Sequence, residues 1–416
     1  MSLAHTILRT TLVAARNRPG PADIRRRLRL ALLAPAMVIL VAYATQAQIS
    51  DDAVRIGVLN DQSDGYADIG GVGSVEAARM AVEDFGGKVL GKPIEILSAD
   101  HQQKADIGAA IARRWFDVAG VDMAIDFDNS SVALAVEQLA RDQNRVAIAT
   151  AVATPDFTGK ACSPTAVAWT YDSYALTTGI AKSLVKRGLD SWFFITVDYA
   201  FGHALEADAS NAVLASGGKV LGRVRHPLAT PDFSSYLLQA QSSKAKVIAF
   251  ANAGSDLTNA TKQAAEFGLA HGEATLVPLL VFISDVHSLG LQMAQGLTFI
   301  TPFYWDMTDE TRSWSKRFFE RRKVMPTMAH ASVYAAITHY LKAVQAAGTD
   351  EAKAVVARMR DMPVNDFYTK NGRVREDGRM MHDMYVVEAK APAESKYPWD
   401  YYKVLQTIPG DQIFRS

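Results

Sequence analysis

The sequence predicts an α/β protein of two doubly wound, Rossmann-like lobes, each a parallel sheet with helices on both faces. Three observations carry that reading. From Val54 onward, short apolar runs alternate with amphipathic stretches, which is the rhythm of buried strands and covering helices. That rhythm restarts near residue 172, with no low-complexity linker between the two series. The chain, at 416 residues, is also longer than one hydrophobic core organises.

The N-terminus sets the compartment. Residues 1–29 hold seven arginines and one acid, Asp23, and the apolar run Leu30–Ala44 follows, interrupted by Pro35 and short for a membrane span. The small residues of "AYA" (42–44) and "TQA" (45–47) suit a signal peptidase, so residues 1–47 are expected to be a cleaved export signal. An uncleaved anchor is the alternative. Removing those seven arginines and one acid from 44 of each sign leaves 37 basic and 43 acidic side chains, a formal charge near −6. That balance suits neither nucleic acid nor an anionic membrane. Cys162 is the only cysteine, so the exported chain has to be stable without an internal disulfide. Beside Ser163-Pro164, it reads as a packed small hydrophobe rather than a nucleophile.

The elements follow in order. "VRIGVL" (54–59) reads as a buried strand, and Val75, Ala78, Val82 and Phe85 fall at helical spacing. "PIEILSAD" (93–100) is a strand, and "DIGAAIARRWFDVAG" (106–120) a helix closed by Gly120. A strand at 121–126, a helix at 131–144 and a strand at 145–150 continue the series. The second series has helices at about 172–187, 201–216, 233–242 and 254–268, with strands at 192–197, 219–224, 245–250 and 275–283. The tail from Asn365 shows short strands, "GRVRE" and "HDMYVVEA", with turn signals at Asn371-Gly372 and Asp377-Gly378.

Glycines 65, 70, 71 and 73 lie between the first strand and the first helix. A dinucleotide fingerprint needs a third glycine where Glu76 stands, and a carboxylate one turn into the helix opposes a bound phosphate. The Walker pattern, a G-x-S-x-G elbow and an H-E-x-x-H pair are all missing, and His203 with Glu206 has no third ligand beside it. The chain is therefore expected to work without cofactor, metal or catalysis. It does place polar groups where strands end and helices begin, which is where open α/β sheets bind ligands. Asn129, Ser130 and Ser131 open a helix whose free N–H groups favour a carboxylate, and they can equally serve as a cap. "TAVATPDFTG" (150–159) offers backbone N–H groups and the Thr154 hydroxyl. Tyr66 can cover a ligand, and Tyr199 and Phe201 sit at a strand-to-helix turn. Asn252 lies in "ANAGSD" after a later strand. Asp285 is either the partner of a ligand ammonium or a helix cap, and Tyr304 and Trp305 either line the pocket or pack in the core.

The blocks "IGVLNDQSDGYADIGGVGSVEAARMAVEDF", "NSSVALAV", "VDYAFGHALEADA" and "PDFSSYLLQAQSSKAKVIAFANAGSD" resemble, in order and spacing, the type I periplasmic solute-binding proteins of the branched-chain amino acid (Leu/Ile/Val-binding) family of ABC importers. The resemblance covers essentially the whole mature chain. It implies two lobes joined by a three-stranded hinge, assigned by position to 53–171 with 296–365 and to 172–295 with 366–416. It puts the carboxylate-binding positions at Asn129, Ser130, Val152 and Thr154, and the acid for an α-amino group at Asp285. The second-lobe aromatic falls on Phe201 and the first-lobe cover on Tyr66 or Ile69, with Tyr171, Tyr199, Asn252 and Tyr304 as further ligand contacts. The sequence departs from the family at Asn129, where serine is usual, at the small residues Ala253 and Gly254, and in lacking the disulfide of some members. A roomier, aromatic-lined pocket admits an aromatic or keto acid as well as an amino acid. The implied function is a monomeric periplasmic protein that captures a small carboxylate solute by lobe closure and delivers it transiently to an inner-membrane ABC permease, with no nucleic-acid partner. A ligand-sensing receptor domain is the alternative.

Overall fold

The computed structural model describes residues 49–269 and 274–415. The expected export signal, 1–47, lies outside them. Among the described residues no helix is long and apolar enough to cross a membrane.

The first series builds a six-stranded sheet. Its elements are β1 (Val54–Asn60), α1 (Gly71–Phe85), β2 (Lys88–Val89), β3 (Lys92–Asp100), α2 (Ala105–Arg114), β4 (Met123–Asp126), α3 (Ser130–Asp142), β5 (Val146–Ala149) and β6 (Ala166–Ala168). The strand order is β2-β3-β1-β4-β5-β6, parallel except for the β2–β3 hairpin. Every residue of β4 and β5 is buried, which is why those strands read as unbroken apolar runs and do not alternate. The order reverses between β1 and β4, opening a crevice at their C-terminal ends.

The second series repeats the plan. It comprises α4 (Ser173–Lys186), β7 (Ser191–Val197), α5 (Ala200–Ala215), β8 (Lys219–His226), α6 (Ser234–Ser242), β9 (Val247–Ala251), α7 (Gly254–Glu266), β10 (Thr275–Pro278) and α8 (Ile283–Leu289). The parallel order is β10-β9-β7-β8, with its own reversal between β7 and β9. A third, antiparallel sheet joins β11 (Thr298–Thr301), β14 (Met384–Ala389) and β15 (Tyr402–Ile408), and α4 packs on β11. Between β11 and β14 come α9 (Asp309–Arg322), α10 (Met328–Ala347), α11 (Ala352–Asp361) and the small hairpin of β12 (Arg373–Val374) and β13 (Met380–Met381). Helices α9 and α10 pack on α1.

Three details differ from the sequence reading. The apolar run 275–283 is a strand only as far as Pro278. The ladder closes with the Leu279 N–H donating to Phe250 O at 3.1 Å, and residues 279–282 become the loop that leads into α8. The helix expected at 106–120 is α-helical to Arg114 and then widens into a π turn, Trp115–Ala119, which ends at Gly120 in the left-handed region. Cys162 is exposed, not packed, because it sits on the surface connection between β5 and β6.

The glycines before α1 admit protein, not phosphate. A Cβ on Gly73 would lie 2.4 Å from His330 Nε2, so the missing side chain lets α10 approach α1. His330 Nε2–H donates to Gly70 O at 2.8 Å, while its Nδ1 accepts from the Thr327 N–H at 3.1 Å. That arrangement requires the neutral ring, and burial holds the His330 pKa down at about 4.

Candidate functional site

The C-terminal ends of the parallel strands converge on a partly open pocket of about 250 Å³ of non-atom space, solvent at its mouth included. Each loop contributes in turn. Tyr66 and Ile69 come from the loop after β1, Asp128 and Ser130 from the β4–α3 turn, and Ala151 and Tyr171 from beyond β5 and β6. Tyr199 and Phe201 come from the β7–α5 turn, Ala253 from the β9–α7 turn, and Leu280 and Phe282 from the loop after β10. The wall is thus mostly apolar and aromatic with a few polar groups, the make-up of a small-molecule site.

The polar end lies at the β4–α3 turn. Asn129 is the N-cap of α3. Its Oδ1 accepts from the N–H groups of Ser131 (2.9 Å) and Val132 (3.1 Å), and its Nδ2 donates to Gln103 Oε1 (2.7 Å), so its side chain is occupied. Ser130, the first residue of the helix, differs. Its hydroxyl is buried in the cavity wall and has no hydrogen-bond partner among the described residues. In the loop after β5, Val152 and Thr154 are buried, and among the described residues their backbone N–H groups are in no hydrogen bond. The Thr154 hydroxyl itself accepts from the Asp156 N–H at 3.4 Å and starts a 3-10 turn.

Behind this end sits a set of buried acids. Asp128 Oδ1 is 2.9 Å from His101 Nε2, and both its oxygens accept from the Asp61 N–H, at 3.1 and 3.2 Å. Burial pushes the Asp128 carboxyl up to about 7; Asp126 and Asp61 push the same way, and His101 opposes them. Burial works against a charge on His101, but the Asp128 hydrogen bond and charge outweigh it and raise its pKa. Its Nδ1 nevertheless accepts from the Gln103 N–H at 3.1 Å, so the ring in this structure is neutral with its proton on Nε2. Asp126 is held by Asn60 Nδ2 (2.9 Å) and the Thr150 hydroxyl. Asp126 and Phe127 have φ of 93° and 73°, a left-handed conformation that non-glycine residues adopt at a cost. That strained turn is what aims Asp128 and Ser130 into the cavity.

The crevice is closed in this structure. The phenol oxygens of Tyr66 and Tyr199 are 2.9 Å apart, and the Ser255 N–H donates to Gly65 O at 3.1 Å. Gly254 makes the approach possible. Its φ is +59°, and a Cβ there would lie 2.5 Å from Gly65 O.

Of the residues singled out from sequence, Tyr66, Ile69, Ser130, Tyr171, Tyr199 and Phe201 line this cavity together. Asn129, Val152 and Thr154 do not line it, although each neighbours a lining residue or its loop in the chain. Asn252 is buried beside Ala253 with its Nδ2 3.1 Å from His226 Nε2. Asp285 accepts from the Phe282 N–H at 2.8 Å as part of a capping box, and it lines a neighbouring depression with Asp64, Asp68 and Lys262. Tyr304 packs away from the site, donating to Trp399 O (3.1 Å) and accepting from the Tyr401 N–H (3.0 Å). Trp305 also donates to Trp399 O, at 2.9 Å.

Asp128, Ala151, Ala253, Leu280 and Phe282 line the cavity without having been singled out. Asp128 offered a signal, an acid at a strand end one residue before a cap. Phe282 was hidden because its loop read as strand. Among the described residues no group of three or more His, Cys, Asp or Glu side chains is placed to hold a metal ion.

Comparison with known proteins gives a consistent picture. A family model described as "Periplasmic binding protein" matches residues 53–396. The "Leu/Ile/Val-binding protein homolog 6" of Brucella melitensis is 27% identical over 398 residues, covering 91% of this chain and 97% of its own. A periplasmic binding protein from Burkholderia mallei, solved as a crystal structure, is 50% identical with a TM-score of 0.86, covering 88% of this chain and 97% of that one. A branched-chain amino acid ABC transporter periplasmic ligand-binding protein from Burkholderia xenovorans is 40% identical with a TM-score of 0.77, covering 87% and 96%.

Proposed function

The chain belongs to the periplasmic binding protein family, and from that premise we propose that it is the extracytoplasmic solute-binding component of an ABC importer. It captures a small solute with a carboxylate and an apolar body, an amino acid or an aromatic or keto acid, by closing two lobes around it. The single observation that carries the reading is the orphaned Ser130 hydroxyl in the cavity wall. It sits at the N-terminus of α3, whose dipole favours a negative charge. Tyr66, Tyr171, Tyr199, Phe201 and Phe282 surround the apolar body.

The chain passes three times between the two parallel-sheet regions, from β6 to α4, from β11 to α9 and from β13 to β14. These passages are the proposed hinge, at about 169–172, 302–308 and 382–383. In this proposal the second and third crossings fall later than 296 and 366, and the pairing of β11 with β14 and of β14 with β15 supports that choice. A ligand shifts the open–closed balance by its preference for the closed form. That form, an exported monomer in the periplasm, docks transiently on a membrane permease, and the Burkholderia xenovorans neighbour's description as an ABC transporter ligand-binding protein supports this step.

A thermal-shift screen of amino acids, 2-oxo acids, aromatic acids and sugars tests the reading. Carboxylates of fitting size should raise the melting temperature in a concentration-dependent way. Stabilisation by sugars or neutral amides alone would sink it.

A further inference from the structure

We propose that Asp128, and not Asp285, is the acid that receives the ammonium of the captured solute, which makes that solute an α-amino acid with an apolar side chain. The assignment rests on the carboxylate reading above and goes beyond it by naming the second charged contact.

Placement comes first. Asp128 lines this cavity together with Ser130, two residues on. Asp285 does not line that cavity; it faces the neighbouring depression, where its Oδ2 accepts from the Phe282 N–H. Charge balance comes second. Asp61, Asp126 and Asp128 are all buried, and among the described residues none of them pairs with a lysine or arginine. Their one titratable basic neighbour is His101, whose Nδ1 accepts the Gln103 N–H and which is therefore neutral here. A buried acid without a counter-charge is costly, and the cost falls when a cation arrives inside the closed crevice.

Spare valence comes third. Asp128 Oδ1 accepts from His101 and from Asp61, whereas Oδ2 accepts only the longer branch of the same shared Asp61 N–H. Oδ2 can take a further donor. The site thus offers an acid next to a helix N-terminus with an unpartnered hydroxyl, and the complement of that pair is a zwitterion whose two charges are one carbon apart. A 2-oxo acid or an aromatic acid supplies no donor for Asp128 and forces it to hold a proton instead. Burial already brings this carboxyl to about 7, so its state changes within the working range. The groups facing it are His101 from the turn after β3, Asp61 from the loop after β1, Asp126 from the end of β4, and the phenols of Tyr66, Tyr171 and Tyr199. Burial raises all three phenols, which stay neutral throughout.

The test uses the full mature chain and calorimetric titration with L-leucine, L-phenylalanine and their 2-oxo analogues. The native protein should bind the better amino acid at least about tenfold more tightly than its 2-oxo analogue. Asp128→Asn should weaken the amino acid by about tenfold or more and bring the ratio near one. Should that variant fold poorly, the native protein's pH profile decides: amino-acid affinity should fall as pH drops from 8 to 6, while 2-oxo-acid affinity should hold or rise. Equal or tighter binding of the 2-oxo acid, an unchanged ratio in Asp128→Asn, or loss of discrimination in Asp285→Asn instead, overturns the assignment. If no acid of either class binds, the carboxylate reading falls and takes this one with it.

Discussion

At Ser130, a side chain with no structural obligation of its own faces the cavity, and Asp128 beside it is bonded to His101 and the Asp61 N–H. The Ser130 hydroxyl satisfies nothing in the chain, so removing it should cost the fold little and the solute much. Ser130→Ala is expected to leave the melting temperature of the free protein unchanged or slightly raised. It should weaken a carboxylate by about 1.5–3 kcal/mol, the range for a hydrogen bond to a charged group. Titration and thermal unfolding of the same sample check both halves, and an equal loss of stability and affinity would assign Ser130 to the fold instead. Sequence showed Ser130 because hydroxyls at a helix start are conspicuous, but it could not separate it from its neighbour Asn129. The difference is that Asn129 reaches back to the N–H groups of Ser131 and Val132, whereas Ser130 reaches nothing. Asp285 was legible for the opposite reason, as an acid after a strand, and the backbone turn at Phe282 claims it.

Between elements, glycine decides how closely they approach, and two glycines should fail in different ways. Gly73 lies where α1 meets α10, and its Cβ would strike the buried His330 ring. Gly73→Ala is therefore expected to destabilise the folded chain by about 1–3 kcal/mol in denaturant unfolding, as overpacking does. Gly254 starts α7 and meets Gly65 and Tyr66 only across the closed crevice. Gly254→Ala should cost the free protein about 1 kcal/mol, because a side chain is strained at a φ of +59°. It should also bind solute at least about tenfold more weakly, because the crevice cannot shut. Unchanged affinity in Gly254→Ala, with Gly73→Ala losing affinity alone, would mean that the crevice contacts are misassigned. Strands such as β4, β5 and β9, buried on both faces, were plain in the sequence. β15 was not, because its side chains are mostly exposed and its partner β14 is an antiparallel neighbour whose pairing no local pattern announces.

For the whole molecule, closure and acid burial set the behaviour in solution. The closed form is held by the Tyr66–Tyr199 phenol pair and the Ser255–Gly65 backbone bond, both modest contacts. X-ray scattering should therefore find a larger radius of gyration without solute than with it, and identical curves would argue against a hinge. Asp122, Asp128 and Asp285 are each raised to about 7 by burial, and Asp256 to about 6. An acid raised on folding contributes stability that is complete below its unfolded value and is lost as pH climbs through its folded value. The unliganded protein should accordingly lose stability between about pH 6.5 and 8, and a solute that neutralises Asp128 should lessen that loss. Below pH 6.5 buried neutral histidines such as His330, held down at about 4, work the other way because the unfolded ring takes up a proton. A melting temperature that rises steadily from about pH 6.5 to 8 would show that other groups dominate.

Local pattern alone determined the alternation of strand and helix, its restart near residue 172, the exclusion of a phosphate loop, and the set of loop positions from which a site had to be drawn. Those properties depend on residue spacing along the chain, and spacing is what a sequence records. Tertiary structure alone decided which acid faces the cavity, which hydroxyl is left without a partner, and which glycine admits a helix and which a closing wall. These depend on groups brought together from loops about 130 or more residues apart, as with Tyr66 and Tyr199 or Gly65 and Gly254, and no local preference encodes a meeting at that distance.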